Sequence, residues 1–140
     1  MQSQNVNPSE PKAMIWTGRV ISGLAALFLL LDGVMKLMKP SFVVEATVQL
    51  GYQESVIVPL GVVLTASALL YLIPRTSVLG AILLTGYLGG AVATHVRVGA
   101  GWFETLFPVI FGALVWGGLF LRDTRVRMLV PWRSKCVANE

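Results

Sequence analysis

The sequence predicts an all-α fold, an integral membrane four-helix bundle with both termini in the cytoplasm. Three observations carry that expectation. Charged residues make up 13% of the 140-residue chain, about half the share of roughly 25% usual in soluble domains. The mean hydropathy is +0.72, which leaves too little polar surface for a soluble domain of this size. Four apolar stretches are each long enough to cross a bilayer, given a helix rise of about 1.5 Å per residue. Lipid offers no partners to backbone N–H and C=O groups, so these stretches must be helices.

The elements follow in order. Residues 1–14, beginning "MQSQNVNPSEPKA", are polar and proline-bearing, and a disordered tail is expected there. Residues 15–122 form one membrane domain. Span one, residues 16–38, is apolar from Val20 to Met38 except for Asp32 and Lys36. Its apolar core resembles that of a signal peptide, but Asp32, Lys36 and Lys39 follow it rather than a small-x-small cleavage site. The span is therefore read as retained. In the loop that follows, "SFVVEATVQLGY" repeats Phe42, Val43, Ala46 and Leu50 at helical spacing, so a short interfacial helix is expected between spans one and two. Span two, residues 56–73, carries no charge, and span three, residues 77–97, carries none before His95 and Arg97. Span four, residues 102–121, holds Glu104 in its first turn. Pro59 and Pro108 fall in the first turns of spans two and four, where a missing N–H costs little. Pro40 and Pro74 follow the ends of spans one and two. Trp16, Tyr71, Trp102 and Trp132 lie near the expected interfaces. Residues 123–140 form a basic cytoplasmic tail.

Orientation comes from the positive charges. Both termini and the 74–77 turn share one side, with Lys12, Arg19, Arg75, Arg122, Arg125, Arg127, Arg133 and Lys135; the other side has Lys36, Lys39 and Arg97. Eight against three places the termini in the cytoplasm. The tail charges suit anionic lipid headgroups, and they are too scattered for a nucleic-acid-binding block. Cys136 is the only cysteine, so one chain can hold no disulfide, C-x-x-C pair or thiolate cluster. No metal site is expected, and no bis-histidyl haem, since His95 is the only histidine.

Helices in lipid associate through close backbone approach. Gly86 and Gly90 of span three form a G-x-x-x-G and are expected to serve helix packing, inside the bundle or in a homo-oligomer. Asp32 and Lys36 are i, i+4 on span one, so an ion pair is expected, because an unpaired intramembrane charge is costly. Spans one and three both run outward, which brings His95 and Arg97 to the same end as Asp32 and Lys36. These four residues are the candidate polar pocket, with Tyr52 and Glu104 also able to converge there. Each has a plainer role: the pair as a structural tie, His95 bonded to a carbonyl, Arg97 and Glu104 as helix-end residues. Tyr87 reads as a packing residue whose hydroxyl finds a carbonyl.

"DGVMKL" at 32–37, "LGY" at 50–52, "LYLIPRT" at 70–76 and above all "LLTGYLGGAVATHVRVG" at 83–99 resemble the DoxX-like family of small bacterial membrane proteins, over roughly residues 15–131. Lys36, Arg75, Tyr87, His95 and Arg97 match the family pattern. Asp32 stands where relatives commonly have serine, and Leu64 and Ser67 where they have glutamate and cysteine. A carboxylate is thus lost from span two and gained on span one. The resemblance implies a four-helix bundle in the inner (cytoplasmic) membrane, and an accessory or anchoring subunit of a quinone-linked redox system. It also implies a membrane-associated oxidoreductase as partner, beside the lipid bilayer, and contact with quinone. Two alternatives stand beside it: a small membrane enzyme or binding protein for a hydrophobic ligand using Asp32 and His95, and a membrane scaffold or chaperone without chemistry.

Overall fold

The computed structural model describes residues 12–129. The described residues are all-α: α1 (Lys12–Met38), α2 (Ser41–Gln49), a 3₁₀ turn (Glu54–Val56), α3 (Ile57–Leu72), α4 (Ser77–Arg97), α5 (Trp102–Arg122) and α6 (Thr124–Leu129). Four helices are long and apolar enough to cross a membrane: α1, the 3₁₀ turn with α3, α4 and α5. The expected N-terminal tail, drawn to residue 14, overlaps α1, whose first turn starts at Lys12 because the apolar run Ala13–Trp16 continues the span. The C-terminal tail begins with the six-residue α6, which buries Val126. The rest of both tails, including Trp132 and Cys136, lies outside the described residues.

The spans alternate in direction and form a ring in the order α1, α3, α4, α5, each packed on its two neighbours. Helices α1 and α4 are therefore diagonal partners that finish at the same end. We call that end the roofed end, because α2 lies across it, and the opposite end the terminal end. The large apolar side chains point outward: Leu24, Leu27, Leu31, Val62, Val63, Ile82 and Val109 are exposed, as lipid-facing residues should be. The centre is filled by smaller groups, Ala25, Ala26, Ala68 and Ala81, between Leu29, Leu64, Leu84, Val115 and Leu119.

Small residues set how closely the backbones meet. At the terminal end, a Cβ added to Gly18 would lie 2.7 Å from the Arg122 backbone nitrogen, and one on Gly118 3.0 Å from the Ser22 nitrogen. Both glycines clamp α1 to α5. Gly80 lies directly against the backbone of Tyr71, clamping α4 to α3. Tyr71 then locks this end. Its fully buried hydroxyl donates to the Val115 carbonyl at 2.8 Å and lies 2.9 Å from Ser22 Oγ, so it joins α3, α5 and α1. Arg122 closes the same corner, with Nη2 donating to the Tyr71 carbonyl at 2.7 Å and the guanidinium 4.7 Å from the Tyr71 ring centre.

Toward the roofed end the seams differ. α1 stays against α3, where Gly33 meets Thr65 and Gly61 admits the Lys36 stem. Between α1 and α5 the contact is instead made by phenyl rings: Phe28 stacks on Phe111 with centroids 4.5 Å apart and meets Phe107 edge-on at 5.6 Å. Pro108, expected in the first turn of span four, sits in its second turn, so its missing N–H leaves the Glu104 carbonyl without the usual helical donor.

Gly86 and Gly90 do not serve packing within the bundle. A Cβ at either position meets no atom within 4 Å. The G-x-x-x-G spacing puts both on one face, but that face is turned toward open space rather than toward a neighbouring backbone.

This contrast can be measured. Gly80→Ala must push against backbone atoms, which do not yield, so a loss of about 1–3 kcal/mol is expected. Gly86→Ala should leave stability unchanged or raise it by up to about 1 kcal/mol through helix propensity. Unfolding in detergent by a graded denaturant, followed by helical circular dichroism, would separate the two; equal losses would contradict the packing described above.

Candidate functional site

The open space at the roofed half is a half-open cavity of about 410 Å³ lined by all four spans and the roof. Its base is mostly apolar, formed by Phe28 and Leu29 of α1, Leu88 of α4 and Phe111 of α5, with Tyr87 of α4 at the same depth and Phe107 and Pro108 of α5 and Ile57 and Leu60 of α3 at its sides. Its rim, toward the roof, is polar: Asp32 and Lys36 of α1, Thr94 and His95 of α4, and Thr47 and Tyr52 from the roof. Gly86, Gly90 and Ala91 form the α4 wall, where their small size leaves the cavity its width.

Each polar group is held by local chemistry. The expected Asp32–Lys36 pair forms across one helical turn, with Nζ donating to Oδ1 at 2.5 Å, the Lys36 side chain largely shielded and that of Asp32 about a third exposed. Among the described residues no hydrogen bond reaches Asp32 Oδ2. His95 approaches the Ala91 carbonyl at 2.7 Å through Nδ1. A carbonyl can only accept, so Nδ1 carries the proton and Nε2 is left as the ring's free atom. Both readings of His95 therefore hold together: it is bonded to a carbonyl and it lines the cavity. The Tyr87 hydroxyl finds no carbonyl, contrary to expectation. Tyr87 lines the cavity, and its hydroxyl has no hydrogen-bond partner among the described residues.

The roof is built by the loop after α1. Lys39 adopts a left-handed backbone, φ 51°, which turns the chain at Lys39–Pro40 and lays α2 across the bundle. α2 is the expected short helix, although the face it buries carries Val43 and Thr47, while Phe42 and Ala46 are exposed. Gly51, at φ 81°, reverses the chain again and aims Tyr52 back at α4. Three contacts pin the roof. Lys39 Nζ pairs with Glu54 at 2.8 Å. Thr94 donates its hydroxyl proton to the Gly90 carbonyl, so Tyr52 must donate to Thr94 Oγ1, at 2.7 Å. Arg97 Nη2 donates to the Leu50 carbonyl at 3.1 Å, with its guanidinium 5.9 Å from the Tyr52 ring centre.

The candidate pocket is thus corrected in two places. Asp32, Lys36 and His95 come together around one cavity, with Tyr52 above them. Arg97 lies outside it: two residues beyond His95 on a helix, it points away from the bundle and braces the roof from its exposed side. Glu104 also lies outside, its carboxylate folded back on Gly101 at the start of α5. Missed by the sequence reading were Thr94, Tyr87 and the rings of Phe28, Phe107 and Phe111. The spacing of Tyr87, Ala91 and His95 at i, i+4 and i+8 was the available signal for a shared α4 face. No group of three or more His, Cys, Asp or Glu residues that could hold a metal occurs among the described residues.

The DoxX-like family matches residues 20–118, which include α3, α4, most of α1 and α5, the roof and every polar residue at the rim. Searches of curated proteins and of solved structures returned no match. A family match over that share of the chain, with four antiparallel helices of membrane-crossing length, gives one conclusion: this multi-pass membrane protein belongs to the DoxX-like family.

Proposed function

We propose that this protein binds a small, neutral lipophilic molecule with a hydrogen-bonding head, of the quinone class, as an accessory subunit of a membrane redox system in the inner membrane. The observation that carries the binding is the cavity, mostly apolar at its base and polar at its rim. Its volume falls within the roughly 300–1,000 Å³ of sites for drug-sized ligands. Its polarity selects the ligand class. Asp32 and Lys36 cancel each other, so a charged ligand gains little net attraction. A ring bearing carbonyl or hydroxyl oxygens meets His95 Nε2 at the rim, the Tyr87 hydroxyl on the same α4 face, and the rings of Phe28, Phe107 and Phe111. The loop charges favour an outer-leaflet position for this half of the bundle. The redox setting and an oxidoreductase partner rest on the family resemblance alone.

The first test is purification of the tagged protein from its native membrane in mild detergent, with bound polypeptides and lipophilic molecules identified by mass spectrometry. A quinone-class molecule held with an oxidoreductase polypeptide is expected; a bare chain carrying neither contradicts the reading.

Two substitutions refine it. Gly90→Leu fills the cavity where nothing stands in its way, so the variant should fold and elute as the native protein does while losing the ligand. Undiminished ligand per chain would place the binding elsewhere. Asp32→Leu strands the Lys36 ammonium, at a cost of up to about 3 kcal/mol, and Asp32→Leu with Lys36→Leu should recover most of that stability. If the double variant is as unstable as the single one, the pair does not act as a unit.

A further inference from the structure

The cavity has a second compartment beside it. A groove of about 260 Å³ runs along the lipid-facing seam of α1 and α5, lined by Ile21, Leu24, Ala25, Phe28, Phe111 and Leu114. Phe28 and Phe111 line both spaces, so the stacked ring pair is the wall they share. We infer that the ligand of the cavity is a head-and-tail amphiphile: its polar head sits at the rim, its hydrocarbon tail passes between Phe28 and Phe111, and the tail lies in the α1–α5 groove. This rests on the reading of the cavity as a ligand site and adds the tail and its path.

The route follows from what is closed. From the aqueous side the cavity is capped by Thr47, Leu50 and Tyr52, and the cap is pinned by Lys39–Glu54, Tyr52–Thr94 and Arg97–Leu50. Toward α3, α1 is sealed by the Gly33–Thr65 and Gly61–Lys36 contacts. Toward the terminal end, Ser22 against Gly118 and Gly18 against Leu121 bring α1 and α5 to backbone contact. Between these closures the wall shared by the cavity and the groove is the Phe28–Phe111 pair, with Phe107 beside it, a contact of side-chain rotamers and not of backbone. A rotamer change is a far smaller rearrangement than separating two helices. The groove beyond is wholly apolar in its lining residues, which suits methylene groups and offers nothing to a second polar head.

The test uses the full chain in lipid nanodiscs and a photoreactive probe, a benzoquinone carrying a decyl tail with a terminal diazirine. After illumination, labelled peptides are mapped by mass spectrometry, with and without excess unlabelled decyl benzoquinone as competitor. Competed labelling on α1 and α5 around Ile21, Leu24 and Leu114 is expected, together with its loss in Leu114→Trp, which narrows the groove from an exposed, lipid-facing position. Competed labelling confined to α2 or to the α3 side overturns the tail path while leaving the cavity as the head's site. Retention of label in Leu114→Trp at the native level also overturns it. If the probe gives no competed labelling and a tailless benzoquinone is not retained either, the ligand-site reading fails together with the tail.

Discussion

Everything particular to this protein depends on where its helix backbones come closest. In lipid, apolar side chains gain little by leaving solvent for one another, so attraction must come from tight van der Waals contact and a few internal hydrogen bonds. Both are prominent at the terminal end, where Gly18 and Gly118 bring α1 and α5 together, Gly80 brings α4 to α3, and Tyr71 bonds α3 to α1 and α5. With the spans fixed there, Phe28, Phe107 and Phe111 fill the space between α1 and α5 toward the other end. The cavity lies beside these rings, where Gly86, Gly90 and Ala91 of α4 leave room.

The same geometry explains why polar residues survive at the rim. A carboxylate in a membrane is costly unless paired, and Asp32 has its partner one turn along the same helix. Because that pair closes within α1, it does not have to reach across the bundle, and the cavity stays open between α1 and α4. His95 and Thr94 turn their own protons onto carbonyls of the preceding α4 turn, which satisfies the helix and leaves acceptor atoms facing inward or toward the roof. The roof lies over these groups, and a bound head that displaces water from them makes stronger hydrogen bonds there.

Much of this was legible in the sequence, and the limits have a physical pattern. The four spans, the short helix after the first of them, the Asp32–Lys36 pair and the meeting of α1 and α4 at one end follow from composition, helical spacing and alternating direction. Which neighbour a helix face meets does not. Gly86 and Gly90 have the spacing of a packing motif, but spacing gives a face and not what lies opposite it, and here that is the cavity. Arg97 lies two residues from His95, about 200° around the helix, so their nearness in sequence separates them in space. Phe28 and Phe111 are 83 positions apart, and no local pattern relates them. Tyr71 was read as an interface residue and is the largest fully buried side chain among the described residues, its hydroxyl finding partners on two other helices.

The most direct measurement of this account is an experimental structure of the protein purified from native lipids without added ligand. The account predicts α1 and α5 in backbone contact at Gly18 and Gly118, with elongated density running from the rim near His95 to the wall of Phe28 and Phe111. A bundle whose roofed half is closed, with those rings turned inward to fill the space between α1 and α4, would contradict it.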